Sequence, residues 1–308
     1  METKNVIEAQ NLSVIIKDRF LVKNASFFIK KGECVGVLGE DQSGKTSLIK
    51  AISGSLPINA GQAFVLGNDI FEDKKVLAKV STCFDPPIFF KYQTVYDNMK
   101  YISRLSESCD DEKIFKVLNK FGIAHRLKTR VLFLPYHEKK LMSLALAFLT
   151  NPEILLLDEP FKNLPKESLE IVKKSIKEAT QNGTTVIITS RNFEDLEDSC
   201  TRFIFMENRE IKTILKNDEC EHLSSSQTFT FVKVKYPHLA GKLLIDDFGM
   251  KVKILDKRVL FEADEDSAAD IVRYLTKNKI AIYSAGYLSK KAEKIFASLT
   301  PYFKEEDK

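Results

Sequence analysis

The sequence predicts an α/β domain followed by a smaller α+β domain. The chain has 308 residues, which suits one large domain with a small one, or two of moderate size. In the larger part, short apolar runs alternate with stretches of helical periodicity, as in a parallel sheet with helical crossovers. Beyond the polar stretch 222–228, HLSSSQT, the order of strands and helices changes. We therefore expect domains at 1–222 and 228–308, joined by a linker.

The first elements surround a glycine-rich turn. The run 33–39, ECVGVLG, is short and apolar and predicts a strand. The stretch that follows, 45–53, places Leu48, Ile49 and Ile52 on one helical face, and Gly54 supplies a stop.

The next elements continue the alternation of helices and strands. Asp110 is placed to cap a helix that ends at Gly122. Apolar residues at helical spacing predict another helix over 141–149. The runs 153–158, EILLLD, and 184–190, TTVIITS, are typical of buried parallel strands with a helix between them.

The smaller domain shows the order β-α-β-β-α-β, which is the ferredoxin-like arrangement. A further helix follows the last strand, with Ser289 placed to cap it, and the two central strands form a hairpin around Asp256 and Lys257. The predicted elements are TFTFVKVKY, PHLAGKLLIDDFG, KVKIL, RVLFEA, SAADIVRYLTKN, IAIYSAGYL and SKKAEKIFASL.

Composition is that of a folded soluble protein, with 44% hydrophobic and 29% charged residues. The net charge of +4 does not indicate a nucleic acid partner, and we expect none. Five scattered cysteines without CxxC spacing argue against a disulfide framework or zinc site and favour a reducing compartment. The start, METKNVIEAQ, lacks a signal peptide, and apolar runs stay short of the roughly 18 residues of a membrane span. We expect a cytoplasmic protein.

Residues 39–46, GEDQSGKT, fit the phosphate-binding pattern G-x-x-x-x-G-K-[ST] between a predicted strand and a predicted helix. Gly39 and Gly44 let the backbone wrap phosphates, whose charge the helix N-terminus meets. Lys45 would reach the β- and γ-phosphates, and Thr46 would ligate Mg²⁺. An ordinary strand–turn–helix is the competing interpretation, which this context disfavours. The predicted nucleotide-binding residues here are Gly39, Glu40, Asp41, Gln42, Ser43, Gly44, Lys45, Thr46 and Ser47.

Asp158 and Glu159 end a buried strand, at the edge where open α/β sheets bind ligands. Asp158 would hold Mg²⁺, and Glu159 would polarise the attacking water as the catalytic general base. Two solvated acids at a strand end are common, so alone the pair is only moderate evidence for a nucleotide site. Together with the phosphate loop it is strong evidence.

These motifs, with LFLPYHEKKLMSLALAFLTNPEILLLDEP between and around them, resemble the ATP-binding subunits of ABC transporters, and the resemblance covers nearly the whole chain. The C-terminal part is similar to the accessory domain of ATPases that serve ABC-2-type exporters. The resemblance implies a P-loop NTPase fold, ATP and Mg²⁺ as cofactors, and a multispan membrane permease as partner. It also implies a second nucleotide-binding subunit and a peripheral position on the inner face of the cell membrane.

The signature motif departs from the family pattern. The family has Leu-Ser-Gly-Gly-Gln, whereas this chain has Leu134, Pro135, Tyr136, His137 and Glu138. Pro135 lacks both the hydroxyl and the N–H. Tyr136 and His137 put side chains where the family's glycine backbone approaches the opposing γ-phosphate. Glu138 suits a helix start but repels a phosphate. A charged His137 would replace one donor, whereas a plain surface turn is the simpler interpretation.

Four further positions differ from the family. Asp85 aligns with a glutamine that senses Mg²⁺ and water, and we expect it to remain a metal ligand. Arg191 replaces the switch histidine and cannot exchange a proton near neutral pH. Pro165 stands where the family has aspartate, and Ile16 replaces the aromatic that stacks on adenine, which leaves an apolar contact.

The sequence thus predicts an ATPase that binds ATP well and hydrolyses it slowly. A heterodimer is favoured over a homodimer, because an intact partner leaves one set of intact groups at each site. The alternative function is a regulatory or scaffold module that dimerises with nucleotide without significant turnover. Phe89, Phe90 and Tyr92 lie where the family meets its permease, and they suit either that contact or a subdomain core.

Overall fold

The computed structural model describes residues 4–105, 110–226, 229–255, 257–288, 291–300 and 302. They belong to two compact units. The first comprises Met1–Arg191 and Asp195–Lys216, and the second comprises Asn192–Glu194 and Asn217–Lys308. Three residues of the sequence analysis lie outside the described residues. They are Ser289, the predicted cap of the last helix, Asp256 of the predicted hairpin turn, and the cysteine Cys109.

The first unit has the predicted mixed α/β fold. Short 3₁₀ turns at Lys74–Lys79, Ala124–Arg126 and Val131–Phe133 link some of its elements. Its strands and helices are β1 (Asn5–Ile16), β2 (Arg19–Lys30), β3 (Cys34–Leu38), α1 (Lys45–Ile52), β4 (Ala60–Val65), β5 (Asn68–Asp69), β6 (Val80–Cys83), α2 (Val95–Leu105), α3 (Asp111–Lys120), α4 (Tyr136–Leu149), β7 (Ile154–Leu157), α5 (Lys166–Gln181), β8 (Thr185–Ser190), β9 (Arg202–Glu207) and β10 (Glu210–Lys216).

Two sheets organise this unit. An antiparallel sheet has the order β2-β1-β4-β5, and a six-stranded sheet has the order β10-β9-β3-β8-β7-β6. In the larger sheet every pair is parallel except the edge pair of β9 and β10. Since β8 lies between β3 and β7, the loop after β3 and the acidic pair after β7 leave the same edge of the sheet, with the end of β8 between them.

Helices α1, α3, α4 and α5 form where the sequence predicts helices, but α4 begins at Tyr136, before the predicted 141–149, and α2 was not predicted. Leu48, Ile49 and Ile52 of α1 are buried in the core shared by the two sheets. The side chain of Asp110 accepts a hydrogen bond from the backbone of Glu112, which confirms the predicted cap of α3.

The second unit forms an antiparallel sheet with the order β12-β13-β11-β14, which is the strand order of the ferredoxin-like arrangement. One apolar cluster joins one face of the sheet to α7 and α8, and a smaller cluster joins strands to α9. Its elements are α6 (Asn217–Ser226), β11 (Thr230–Val234), α7 (Pro237–Phe248), β12 (Lys253–Leu255), β13 (Arg258–Phe261), α8 (Glu265–Lys277), β14 (Ile282–Tyr287) and α9 (Lys291–Leu299).

The stretch predicted as a linker differs from expectation. Residues 222–226 are helical, because α6 begins at Asn217 with Asp218 and Glu219 in its first turn and is anchored by the fully buried Cys220. The last two residues of the predicted linker, 227 and 228, lie outside the described residues. The boundaries 1–222 and 228–308 therefore stay a prediction. Across the ranges described above, no helix has the length and apolar character that crossing a bilayer requires.

Candidate nucleotide-binding site

The loop between β3 and α1 forms a cradle that excludes side chains at two glycines. A Cβ atom at Gly39 would lie 2.4 Å from the carbonyl oxygen of Met206 and 2.4 Å from the hydroxyl of Ser43. Gly44 has φ +105°, in the left-handed region that favours glycine. Since α1 starts immediately after Gly44 without a side-chain cap, its first N–H groups are free for an anion.

Lys45 is folded back into this loop. Its Nζ donates to the carbonyl oxygens of Gly39 at 2.6 Å and Glu40 at 3.0 Å. The same ammonium lies 3.7 Å from the carboxylate of Glu159. Burial lowers the pKa of Lys45, and the nearby Glu159 opposes that shift. The ammonium is thus held at the place where phosphate oxygens would arrive.

Asp158 is fully buried and receives two hydroxyl groups. The hydroxyl of Thr46 lies 3.1 and 2.9 Å from its two carboxylate oxygens, and that of Thr189 donates to Oδ1 at 2.7 Å. Thr46 and Asp158, predicted as metal ligands from distant parts of the sequence, are therefore neighbours. An oxygen-only donor pair of this kind suits Mg²⁺, which takes few protein ligands and keeps waters.

Glu159 leaves β7 in an unusual conformation. Its φ is +47°, in the left-handed region, and its N–H donates to the hydroxyl of Thr189 at 2.9 Å. Burial raises the pKa of Glu159, while Lys45 acts in the opposite direction. A raised carboxyl pKa suits a general base that works near neutral pH.

The residues present fit a nucleotide with Mg²⁺. Within the described part of the chain, the buried hydroxyl of Ser43 has no hydrogen-bond partner, and it lies in the loop that would hold phosphates. No group of three or more His, Cys, Asp or Glu side chains that would hold a metal by themselves occurs in that part.

Asp85 does not join Thr46 and Asp158. One of its oxygens accepts from the hydroxyl of Tyr136 and lies 3.4 Å from Nζ of Lys140, and the other accepts from Lys162 at 3.0 Å. The hydrogen bond with Asp85 raises the pKa of Lys162. These partners occupy the carboxylate, so the geometry does not support a metal-ligand role for Asp85.

The segment in the signature position starts α4. Pro135 precedes the helix and gives no side-chain cap. Glu138 lies in the first turn of α4, as expected of a residue that suits a helix start, and its carboxylate is bound by Arg126 at 2.9–3.0 Å. His125 lies 3.7 Å from the same carboxylate, and His137 sits half-buried in the first turn.

The remaining predicted residues surround the loop. Arg191 lies 3.0 Å from Asp41, so the residue in the switch position pairs with the phosphate loop itself. Ile16 ends β1 and is 38% exposed. Glu40 and Gln42 are exposed, and Ser47 lies half-buried in α1.

The segment after Asp85 places apolar side chains at the surface. Ile88 is 80% exposed and Tyr92 is 67% exposed. Phe90, which is 49% exposed, touches Tyr101 with its ring edge at a centroid distance of 5.2 Å, and Phe89 is half-buried. Exposure of this kind favours the contact interpretation over a buried subdomain core.

Two residues of the site were not identified from the sequence. Thr189 bridges Asp158 and Glu159, and Lys140 donates from its Nζ to the carbonyl oxygen of Asp158 at 2.8 Å. A signal for Lys140 exists, because it is a charge four residues before Leu144 on the apolar face of α4. The sequence could not predict the partners of Lys140, since they come from other elements.

Comparisons with known proteins show which proteins this chain is similar to. The family model described as ABC transporter matches residues 22–162. The uncharacterized ABC transporter ATP-binding protein YhcH of Bacillus subtilis is 25% identical over 305 residues, covering 98% of each chain. The linearmycin resistance ATP-binding protein LnrL of the same organism is 27% identical, covering 71% of this chain and 72% of that protein. A solved ATP-binding subunit of an ABC transporter shares the fold, with a TM-score of 0.65 and 18% identity over 70% of this chain and 92% of that one.

Proposed function

We propose that the chain, whose residues 22–162 match the family model described as ABC transporter, is an ABC-type ATPase. On that premise we propose that it couples Mg²⁺-ATP to substrate export through a separate multispan permease, from a peripheral position on the cytoplasmic face of the membrane. The observation that carries the proposal is the hydrogen bond between the half-buried Thr46 and the buried Asp158, next to Lys45, whose ammonium lies 3.7 Å from Glu159. Export as the direction is supported by similarity to a resistance protein.

Each residue of the site has a distinct task in this proposal. The phosphate loop and Lys45 bind the β- and γ-phosphates, and Thr46 and Asp158 hold Mg²⁺. When bound, Mg²⁺ neutralises charge on the phosphate oxygens. Glu159 orients the attacking water and accepts its proton, for which its raised pKa prepares it. Ile16 provides an apolar contact for the adenine of ATP.

Hydrolysis is proposed to be slow. The segment that would meet an opposing γ-phosphate offers Pro135 without an N–H and Tyr136 with its hydroxyl already bound to Asp85. Loss of one such donor typically slows an enzyme by roughly 10²- to 10³-fold. Arg191 can hold charge but not shuttle a proton.

The proposed assembly is a heterodimer with a second, intact ATP-binding subunit. In a homodimer both nucleotides would face the altered segment that starts α4. With an intact partner, each nucleotide has one complete half-site. Residues 228–308 are proposed to form an accessory domain.

Nucleotide binding is tested with the full chain and a fluorescent ATP analogue in the presence of Mg²⁺. We expect saturable binding that Lys45→Met abolishes. Lys50→Met is the matched control, because Lys50 lies near the end of the same helix, above the ring of Phe84. Absence of binding to the wild-type chain would refute the proposal.

Turnover separates the proposed function from the alternative. Slow phosphate release that Glu159→Gln abolishes supports the transport ATPase. Nucleotide-dependent dimerisation of the wild-type chain without phosphate release supports the regulatory or scaffold module. Rapid turnover by the chain alone contradicts the proposed weak hydrolysis.

A further inference from the structure

The peptide unit that joins Asp158 to Glu159 is held by side chains at both ends. Its carbonyl oxygen accepts from Nζ of Lys140 at 2.8 Å, and its N–H donates to Oγ1 of Thr189 at 2.9 Å. This peptide directly precedes the left-handed φ of +47° at Glu159. Such a conformation is unfavourable for a non-glycine residue, so it persists where the surroundings hold it.

Lys140 is unusual because its side chain is fully buried. A buried ammonium is costly unless it has hydrogen bonds and a counter-charge. The carbonyl oxygen of Asp158 supplies a hydrogen bond, and the carboxylate of Asp85, 3.4 Å away, supplies the charge. The ammonium therefore connects the loop after β6 to the end of β7.

Asp85 is in turn oriented from two sides. Tyr136 donates to the oxygen that faces Lys140, and Lys162 binds the other oxygen at 3.0 Å. Two segments thus converge on this carboxylate, which the loop after β6 carries: the first part of α4 and the turn after Glu159. Two residues that depart from the family pattern, Asp85 and Tyr136, bind each other.

We propose that Lys140 is a positioning residue for the magnesium and water sites, with Asp85 as its counter-ion. Its ammonium fixes the carbonyl oxygen of Asp158, and thereby sets the direction of the Asp158 carboxylate and the turn that aims Glu159 at Lys45. A carboxylate at position 85 then serves the lysine rather than the metal. The inference rests on the proposed function, because it concerns how the same site is held.

The test measures the affinity of the full chain for the fluorescent ATP analogue, once with Mg²⁺ and once with EDTA. Lys140→Met keeps length and apolar volume but removes the ammonium. We expect the affinity with Mg²⁺ to fall by about tenfold or more, as for loss of groups that orient metal ligands. The affinity in EDTA should stay near the wild-type value, because the phosphate loop is intact. Lys139→Met, the same change one residue earlier on α4, should alter neither value.

A purely structural role predicts a different result. It would lower the melting temperature and leave the ratio of the two affinities unchanged, which would overturn the inference. If Lys140→Met fails to fold, Asp85→Asn carries the test, because it keeps the side-chain volume and removes only the counter-charge. We define the Mg²⁺ effect as the ratio of the affinity with Mg²⁺ to the affinity with EDTA. We expect Asp85→Asn to lose part of this effect.

The decisive experiment is a double variant that should recover what Lys140→Met loses. The double variant Lys140→Gln with Asp85→Asn restores a donor to the Asp158 carbonyl without a buried charge, and it should recover most of the Mg²⁺ effect. Wild-type protein that binds the analogue with no Mg²⁺ effect, or variants that keep that effect, would overturn this inference alone. Wild-type protein that binds no analogue would overturn the proposed function itself.

Discussion

At the scale of single residues, the phosphate loop has no room for a side chain at Gly39. Gly39→Ala would force its Cβ against the carbonyl oxygen of Met206, so the loop must shift. We expect a loss of about 1–3 kcal/mol in the free energy of unfolding, together with loss of ATP binding. Gly122→Ala is the control, because it meets no atom within 4 Å and only its left-handed φ of +74° is strained. It should bind ATP normally; equal ATP affinity in both variants would contradict the expected cradle.

The raised pKa of Glu159 predicts how stability depends on pH. Burial favours the protonated carboxyl in the folded state, so its ionisation weakens folding as pH rises above the ordinary value of 4.5. Glu159→Gln should therefore raise the free energy of unfolding at neutral pH, and the gain should vanish in acid. Urea unfolding at several pH values measures it.

Glu178 provides a control of opposite sign. Its hydrogen bond with Lys120 lowers the pKa of Glu178, so its contribution is present above 4.5 and is lost as pH falls through the lowered value. Glu178→Gln should destabilise the protein at neutral pH, not stabilise it. Two variants that shift in the same direction would contradict the assignment of Glu159.

The motif residues of the site were predictable because their chemistry is local. Asp158 and Glu159 follow a buried strand, and the phosphate loop carries its own spacing. Lys140 and Thr189 escaped because what defines their role is contact with other elements, and spacing along the chain does not encode it. Asp85 was interpreted by alignment with a family glutamine, and its contacts with two lysines and a tyrosine come from other elements, which that alignment does not indicate.

At the scale of elements, periodicity predicted the core helices and strands of both units, because burial of one face sets the spacing of apolar residues. It failed at 222–228, where serines suggested a linker. Acidic residues at the start of α6 and the buried Cys220 outweigh the low helical preference of serine.

The start of α8 offers a prediction about a helix cap. The side chain of Asp264 accepts a hydrogen bond from the backbone N–H of Ser267. Hydrogen bonding by the side chain and the backbone of Ser267 lowers the pKa of Asp264. Asp264→Ala should loosen α8 at neutral pH, and the difference from wild type should shrink as pH falls below 3.8. Hydrogen exchange of α8 amides measures this. Asp270→Ala, on the exposed side of the same helix, should change little; equal loosening by both would refute the cap.

At the scale of the whole molecule, the exposed apolar side chains of Ile88, Phe90 and Tyr92 are expected to contact the permease. Ile88→Ser with Tyr92→Ser should leave the melting temperature unchanged, since these side chains support little core. Coexpression with a candidate multispan permease, followed by membrane fractionation, should show loss of membrane association. Phe115→Ser, a change at another exposed apolar side chain, on α3, is the control. Retained association of the double variant would place the contact elsewhere.

The altered start of α4 predicts that the chain does not pair with itself on ATP. With Glu159→Gln to block turnover, Mg²⁺-ATP should leave the protein monomeric in light scattering, because Pro135 has no N–H and the Tyr136 hydroxyl is already bound to Asp85. Replacing residues 135–138 by Ser-Gly-Gly-Gln in that background should create an ATP-dependent dimer. The helix keeps its register, but the backbone N–H groups become accessible to the phosphate. Lys45→Met in the restored chain should abolish the dimer, whereas an ATP-dependent dimer of the unrestored chain would refute the heterodimer.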